Sequence, residues 1–279
     1  MRPRPSGTRE GGFTLIEILA ALGIFLLVTG AAFTLLTSSQ QRYRTESEVL
    51  TSFQEARLGL DQMVRDINDA GFPPPTFATT DPTKVTSTPF AWSPGYTVIP
   101  PSPCQIVTGD VGPCFTPTDF DIIIETEPNP NDPLCAPNCS VEWIRYQLQG
   151  TTLMRGMVPK KASHDPAVDS STALVPFVQN VANNSPTLQI GQFQLDTTYP
   201  AVFPRGAPVP IFQYSCDTPS APLNAPQPCP SLGAPDNSPA NIRDVAITLI
   251  VAAPLPDATT GQPRLLQLKG RSRRINPNQ

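Results

Sequence analysis

Hydrophobic positions along the chain follow three patterns in turn. From Phe13 to Leu36 they are continuous, and Glu17 is the only ionisable side chain in the run. At ~1.5 Å rise per residue this stretch predicts a helix of roughly 36 Å, enough to cross a ~30 Å hydrocarbon core. A polar exit follows at Thr37-Ser38-Ser39-Gln40-Gln41. Beyond it the apolar positions thin to a stripe, Phe53, Ala56, Leu60, Met63, Val64 and Ile67, recurring at three and four. That spacing predicts one face of a continuing helix. Opposite charges four apart, Arg42/Glu46, Arg44/Glu48 and Asp61/Arg65, occupy the other faces. Gly71 is placed to cap this helix, and Pro73-Pro74-Pro75 forbids its continuation.

In the remainder of the chain the period drops to two. Phe120, Ile122 and Ile124 alternate with Asp121, Ile123 and Glu125, and Ile144, Tyr146 and Leu148 with Glu142, Arg145 and Gln147. Gln149-Gly150-Thr151-Thr152 then leads into Leu153-Met154-Arg155, which predicts a hairpin. Val245, Ile247, Leu249 and Val251 share one face, with Asp244, Ala246 and Thr248 opposite, and Leu266 and Leu268 alternate with Gln267, Lys269 and Arg271. The last two strands should pair antiparallel. The expected fold class is α+β: a long N-terminal helix whose second half packs on one antiparallel sheet. All but two of the 36 prolines lie from Pro73 onward, so long ordered loops are expected between the strands.

A carboxylate inside a membrane helix costs about 2.5–3.5 kcal/mol on insertion scales and usually marks function. Glu17 is preceded by Gly11-Gly12-Phe13-Thr14-Leu15-Ile16. If a protease cuts between Gly12 and Phe13, the new amine on Phe13 is a cation about a turn from Glu17. In an assembly of such helices the carboxylate of one chain can pair with the amine of the next, and lipid strengthens that pair. Gly12-Phe13-Thr14-Leu15-Ile16-Glu17 resembles the prepilin signature of the type IV pilin superfamily. The resemblance implies cleavage by prepilin peptidase after Gly12, N-methylation of Phe13, and Glu17 as the assembly carboxylate. Many leaders of that family have Lys or Arg just before the glycine, whereas here Glu10-Gly11 precede it. Ala56 to Phe72, ending in Ala70-Gly71-Phe72, resembles the helix end of PilW-like minor pilins and of the large minor pseudopilins of type II secretion. Tyr146-Gln147-Leu148 with Leu153-Met154-Arg155, Val175 to Val181, and Ile242 to Ile247 are similar to later segments of the same pattern.

Four regions follow. Residues 1–12 are a leader peptide, with Arg2, Arg4 and Arg9 against Glu10. Residues 13–36 form the transmembrane half of the helix, residues 37–72 its amphipathic periplasmic half, and residues 73–279 a β-rich head. The alternative is an ordinary secretory signal cleaved near Gly30-Ala31-Ala32. It fits less well, because the apolar run exceeds a normal h-region of about 7–15 residues and starts with an acid. Gly23 and Gly30, on one face of the span, would allow close helix approach.

The chain carries a formal net charge of −4 and six cysteines, Cys104, Cys114, Cys135, Cys139, Cys216 and Cys229, all beyond the apolar span in proline-rich loops. Pairing between sequence neighbours (Cys104–Cys114, Cys135–Cys139, Cys216–Cys229) is expected, each bond tying a polar loop. Other connectivities stay open, and Cys135 and Cys139 also fall within zinc-ligand spacing, though no second pair matches them. Asn129-Pro130-Asn131-Asp132 and Asp217 are rich in oxygen ligands but lack the ladder of a calcium loop. No metal or cofactor is expected. Nor is an enzyme expected: His164, the only histidine, stands beside Asp165 without a nucleophile motif, a Walker loop or a dinucleotide fingerprint. Lys269, Arg271 and Arg273 share one face of the last strand, with Arg264 and Arg274 nearby. The default is solvated edge charge, and nucleic acid is not an expected partner of a net acidic chain without interleaved aromatics.

The resemblance implies a minor pilin, joined through its helix to other minor and major pilins in a priming or tip complex. Its further partners would be prepilin peptidase, the inner-membrane assembly platform, and inner-membrane lipid before assembly. Its location would be the inner membrane with a periplasmic head, then a surface pilus. A minor pseudopilin of type II secretion, or a pilin-anchored periplasmic adhesive or binding domain, are the alternatives.

Overall fold

The computed structural model describes residues 12–74, 81, 83–86, 88–91, 115–128, 140–161, 164–190, 192–216, 227–229, 241–257 and 260–275. One helix, α1 (Leu15–Asn68), opens the chain. The chain divides into two compact units, residues 1–47 and 48–279.

In the second unit the predicted stripe is the buried face of α1. Val49, Ala56, Leu60, Met63 and Ile67 are buried, and Phe53 and Val64 are half-buried. Ala56, Leu60, Met63 and Ile67, with Val64 packed against them, join a core with Ile122, Ile124, Ile144 and Tyr146 from one sheet and Val245, Ile247, Leu249 and Val251 from another. The first sheet has the order β1 (Asp121–Thr126), β2 (Glu142–Gln149), β3 (Thr152–Pro159), β4 (Val175–Val178). The short strands β5 (Gln189–Ile190) and β6 (Phe193–Gln194) pair with each other. The second large sheet contains β7 (Phe212–Cys216), β8 (Gln227–Pro228), β9 (Ile242–Pro256) and β10 (Pro263–Arg273), ordered β10-β9-β7-β8. Every pairing is antiparallel.

The expected single sheet is therefore two. The cause lies after β4. Val178 still pairs with Leu153 of β3, but Asn180 then takes φ +59°, and Val181 bridges Val251 of β9. The backbone leaves one sheet and joins the other within three residues. Asn183 completes the transfer. It is fully buried, and its side-chain amide donates to Thr248 O (2.8 Å) and Val209 O (3.1 Å) while its Oδ1 accepts from Ile250 N (2.8 Å). A side chain thus supplies β9 with ladder bonds on the edge away from β10, beyond its pairing with β7.

The β2–β3 hairpin forms where predicted. Gly150, at φ +58°, holds the first central position of a two-residue turn, a conformation a Cβ would strain. Ile123 departs from the expected alternation, because the first sheet is covered on both faces. Ile122 and Ile124 face the main core, while Ile123 packs with Trp143 and Ala91 in a second cluster. Within that cluster Lys160 Nζ lies 3.0 Å from Glu125 Oε2 and donates to Val85 O, and Trp143 Nε1 donates to Glu125 Oε1 (3.0 Å). Both charged side chains are 1% exposed.

Helix α1 ends at Asn68, earlier than the Gly71 cap predicts. The carbonyls after it are taken by the sheets: Asn68 O accepts from Ile275 N and Asp69 O from Thr126 Oγ1. Asn68 Oδ1 also accepts from Ser272 Oγ (2.6 Å) and Arg273 N (3.1 Å). Gly71, at φ +88°, donates its N–H to Glu125 O (2.9 Å). Two residues before the helix end, Asp66 accepts from Tyr146 Oη (2.5 Å), Arg155 Nη2 (3.0 Å) and Gln62 Nε2 (2.7 Å). The helix terminus is thus held by polar bonds from both sheets.

Residues around His164 form more than a loop. Asp165 caps α2 (Pro166–Ser171), accepting from Ala167 N (2.8 Å), with Pro166 in the first turn. Asp-Pro at a helix start is a legible signal.

Candidate functional site

The sequence places its chemistry at residues 12–17, and the local structure there is well defined. Gly12, Phe13 and Thr14 precede the helix, which starts at Leu15. Thr14 is its N-cap. Its Oγ1 accepts from Glu17 N (3.4 Å), while Glu17 Oε2 accepts from Thr14 N (3.0 Å) and Thr14 Oγ1 (2.9 Å). This is a reciprocal capping box, and its Thr-x-x-Glu spacing could have been read from the sequence. The carboxylate also sits at the positive end of the helix dipole.

Phe13 is 85% exposed, and the residues from Gly12 to Arg44 are all exposed. Along one side of the helix Phe13, Glu17, Ala21 and Phe25 succeed each other at four-residue spacing. With Ile18 and Leu22 they border a shallow groove of about 510 Å³. The small Ala21 leaves room between the two aromatic rings, and Glu17 is the polar group on this apolar surface. The threonine hydroxyls farther along are satisfied internally: Thr29 Oγ1 donates to Phe25 O (2.7 Å), Thr34 Oγ1 to Ala31 O (2.8 Å) and Thr37 Oγ1 to Phe33 O (3.1 Å). Past the first turn the span therefore makes no polar demand on its surroundings. It is long and apolar enough to cross a membrane. So large an apolar surface is stable only in lipid or against other apolar surfaces.

The other predicted residues fall elsewhere. Cys216 and Cys229 form a disulfide that ties β7 to β8. Cys104, Cys114, Cys135 and Cys139 lie outside the described residues, as do Asn129 to Asp132 and Asp217. Among the described residues, no group of three or more His, Cys, Asp or Glu side chains is placed to hold a metal. His164 is half exposed, with Nδ1 3.2 Å from Asp169 Oδ2, which also meets Lys161 Nζ at 3.3 Å. Gly23 and Gly30 have open space around the position of a Cβ.

The basic strand is only partly the solvated edge expected of it. Arg271 Nη2 and Arg273 Nε lie 3.0 Å and 2.8 Å from the carboxylate of Asp244, which is 2% exposed. Two of the three cations on this face therefore neutralise a buried acid. Burial alone would raise the Asp244 pKa, but the hydrogen bonds from Arg273 and Arg271 outweigh it and hold it below the ordinary value. A carboxyl with a depressed folded-state pKa adds stability that is present above its unfolded pKa, near 3.9, and is lost as pH falls through the lower folded value. Urea titrations of wild type and Asp244→Asn at pH 7 and at about pH 3 check this. The wild type should lose more stability between the two than the variant does.

A family model of the prokaryotic N-terminal methylation motif matches residues 7–33. No curated protein and no solved structure was found to match the chain. The match coincides with the capped helix start and the exposed apolar run, so the N-terminus of the chain carries a type IV pilin-like prepilin signal.

Proposed function

We propose that this chain is a minor pilin, cut between Gly12 and Phe13 by prepilin peptidase, methylated on the new Phe13 amine, and built through α1 into a pilus priming or tip complex. Residues 1–12 are then the leader, 13–36 the inner-membrane span, 37–72 the periplasmic half of the helix and 73–279 the head. The observation that carries the reading is Glu17, the sole ionisable group of an exposed apolar helix face.

The capping box adds a mechanistic point. Both of its hydrogen bonds to Glu17 come from Thr14 and use Oε2. Cleavage after Gly12 leaves Thr14 N–H in place, so the helix start survives processing. Oε1 has no hydrogen bond within the chain among the described residues. One carboxylate can then cap its own helix and receive a neighbour's Phe13 amine, with lipid strengthening the ion pair. A large, loop-decorated head suits a low-copy position better than every position of a packed filament. A minor pseudopilin of type II secretion would use the same assembly physics.

The test is the mass of the mature N-terminus with and without the peptidase, together with incorporation of Glu17→Ala and Glu17→Gln chains. A mature chain starting at methylated Phe13 is expected. Glutamine keeps an acceptor for the cap but no charge, so both variants should insert and fold yet fail to incorporate. A working protein that retains residues 1–12, or a Glu17→Gln chain that assembles at wild-type level, overturns the reading.

A further inference from the structure

Far along the chain from the N-terminal motif, residues 116–119 and strand β7 enclose an open cleft of about 340 Å³, within the range of about 300–1,000 Å³ usual for small-molecule sites. Its walls are fixed to each other. Asp119 O accepts from Ile211 N (2.9 Å) and Phe212 N (3.0 Å), and Tyr214 Oη donates to Thr118 O (2.7 Å). Cys229 N donates to Tyr214 O (3.1 Å), and the Cys216–Cys229 disulfide closes the end of β7. A cleft held this way loses little entropy on binding.

The lining chemistry is specific. Asp119 and Gln213 are exposed side chains, Thr116 and Thr118 add hydroxyls, and the half-buried Tyr214 adds flat apolar surface. Among the described residues, no lysine, arginine or histidine lines the cleft. A lone carboxylate without a cation repels phosphates, nucleic acid and acidic sugars. A carboxylate, an amide and hydroxyls side by side offer both acceptors and donors, the complement of vicinal sugar hydroxyls. A tyrosine surface suits the C–H face of a pyranose ring. We propose that this cleft binds a neutral saccharide. Asp119 accepts two ring hydroxyls, Gln213 bridges a third, and Tyr214 packs against the ring. This site is independent of the assembly role of Glu17.

The full chain in a sugar-free detergent is tested by saturation-transfer NMR against glucose, galactose, mannose, N-acetylglucosamine and N-acetylgalactosamine, with galacturonic acid and N-acetylneuraminic acid as the anionic arm. At least one neutral sugar should receive saturation, and the acidic sugars should not. Asp119→Ala and Gln213→Ala remove exposed side chains, and circular dichroism checks that both remain folded. Loss of hydrogen bonds to a charged group should weaken affinity about tenfold or more in Asp119→Ala. Gln267→Ala, on the exposed face of β10, should leave affinity unchanged. Absence of any neutral ligand in the panel, equal binding of acidic sugars, or undiminished binding by both folded cleft variants overturns the proposal.

Discussion

Replacing Lys160 by methionine should lower the unfolding free energy of the head by about 3–5 kcal/mol, the usual cost of leaving one partner of a buried ion pair behind. The Lys160 ammonium and the Glu125 carboxylate are each 1% exposed and lie 3.0 Å apart. Methionine fills much of the same volume, so packing changes little and the loss is electrostatic. Glu125 would keep the indole N–H of Trp143 but lose the Lys160 ammonium. The loss should reach further than the pair, because Lys160 also holds Val85 O and so fastens residues 83–86 beside the first sheet. Combining Lys160→Met with Glu125→Gln should recover part of the stability, since no charge then stays buried. Urea unfolding followed by tryptophan fluorescence measures both. Equal stability of wild type and Lys160→Met would show that the pair adds nothing to the fold.

Asp66→Ala should cost about 3 kcal/mol or more, because it strips three donors of their acceptor at once. Tyr146, fully buried, would keep Arg155 as a donor to its oxygen but lose the acceptor of its own proton. The Tyr146 hydroxyl has a pKa well above the ordinary value, from burial first and then from the Asp66 charge, so at neutral pH it is the donor. Asp66→Asn retains an acceptor and should cost less. Tyr146→Phe, which leaves Asp66 with Arg155 and Gln62, should cost only about 1–2 kcal/mol. The order Ala, Asn, Phe in falling cost, measured by urea midpoints, tests whether this network fastens the helix to the first sheet. An Asp66→Ala chain as stable as Tyr146→Phe would assign that role to apolar packing alone.

How far the chain could be read in advance depended on the range of the forces involved. Glu17 in its apolar run, the stripe from Ala56 to Ile67 and the alternation of Val245 to Val251 were all legible. Each is a local pattern that must match a period of 3.6 or 2 whatever surrounds it. The Thr14–Glu17 capping box and the Asp165-Pro166 helix start were equally local and could have been named.

The sequence by itself determined a membrane-competent helix, its amphipathic continuation, a β-rich head and the prepilin-type motif, because lipid and secondary-structure period act on neighbouring residues. Only the tertiary structure decided that the head has two large sheets and where α1 stops. It alone joined Glu125 to Lys160, Asp66 to Tyr146 and Asp66 to Arg155, separated by 35, 80 and 89 residues. Burial makes each of those polar groups require a partner, but which partner it meets depends on how distant segments pack, and that is not written in any one stretch of the chain.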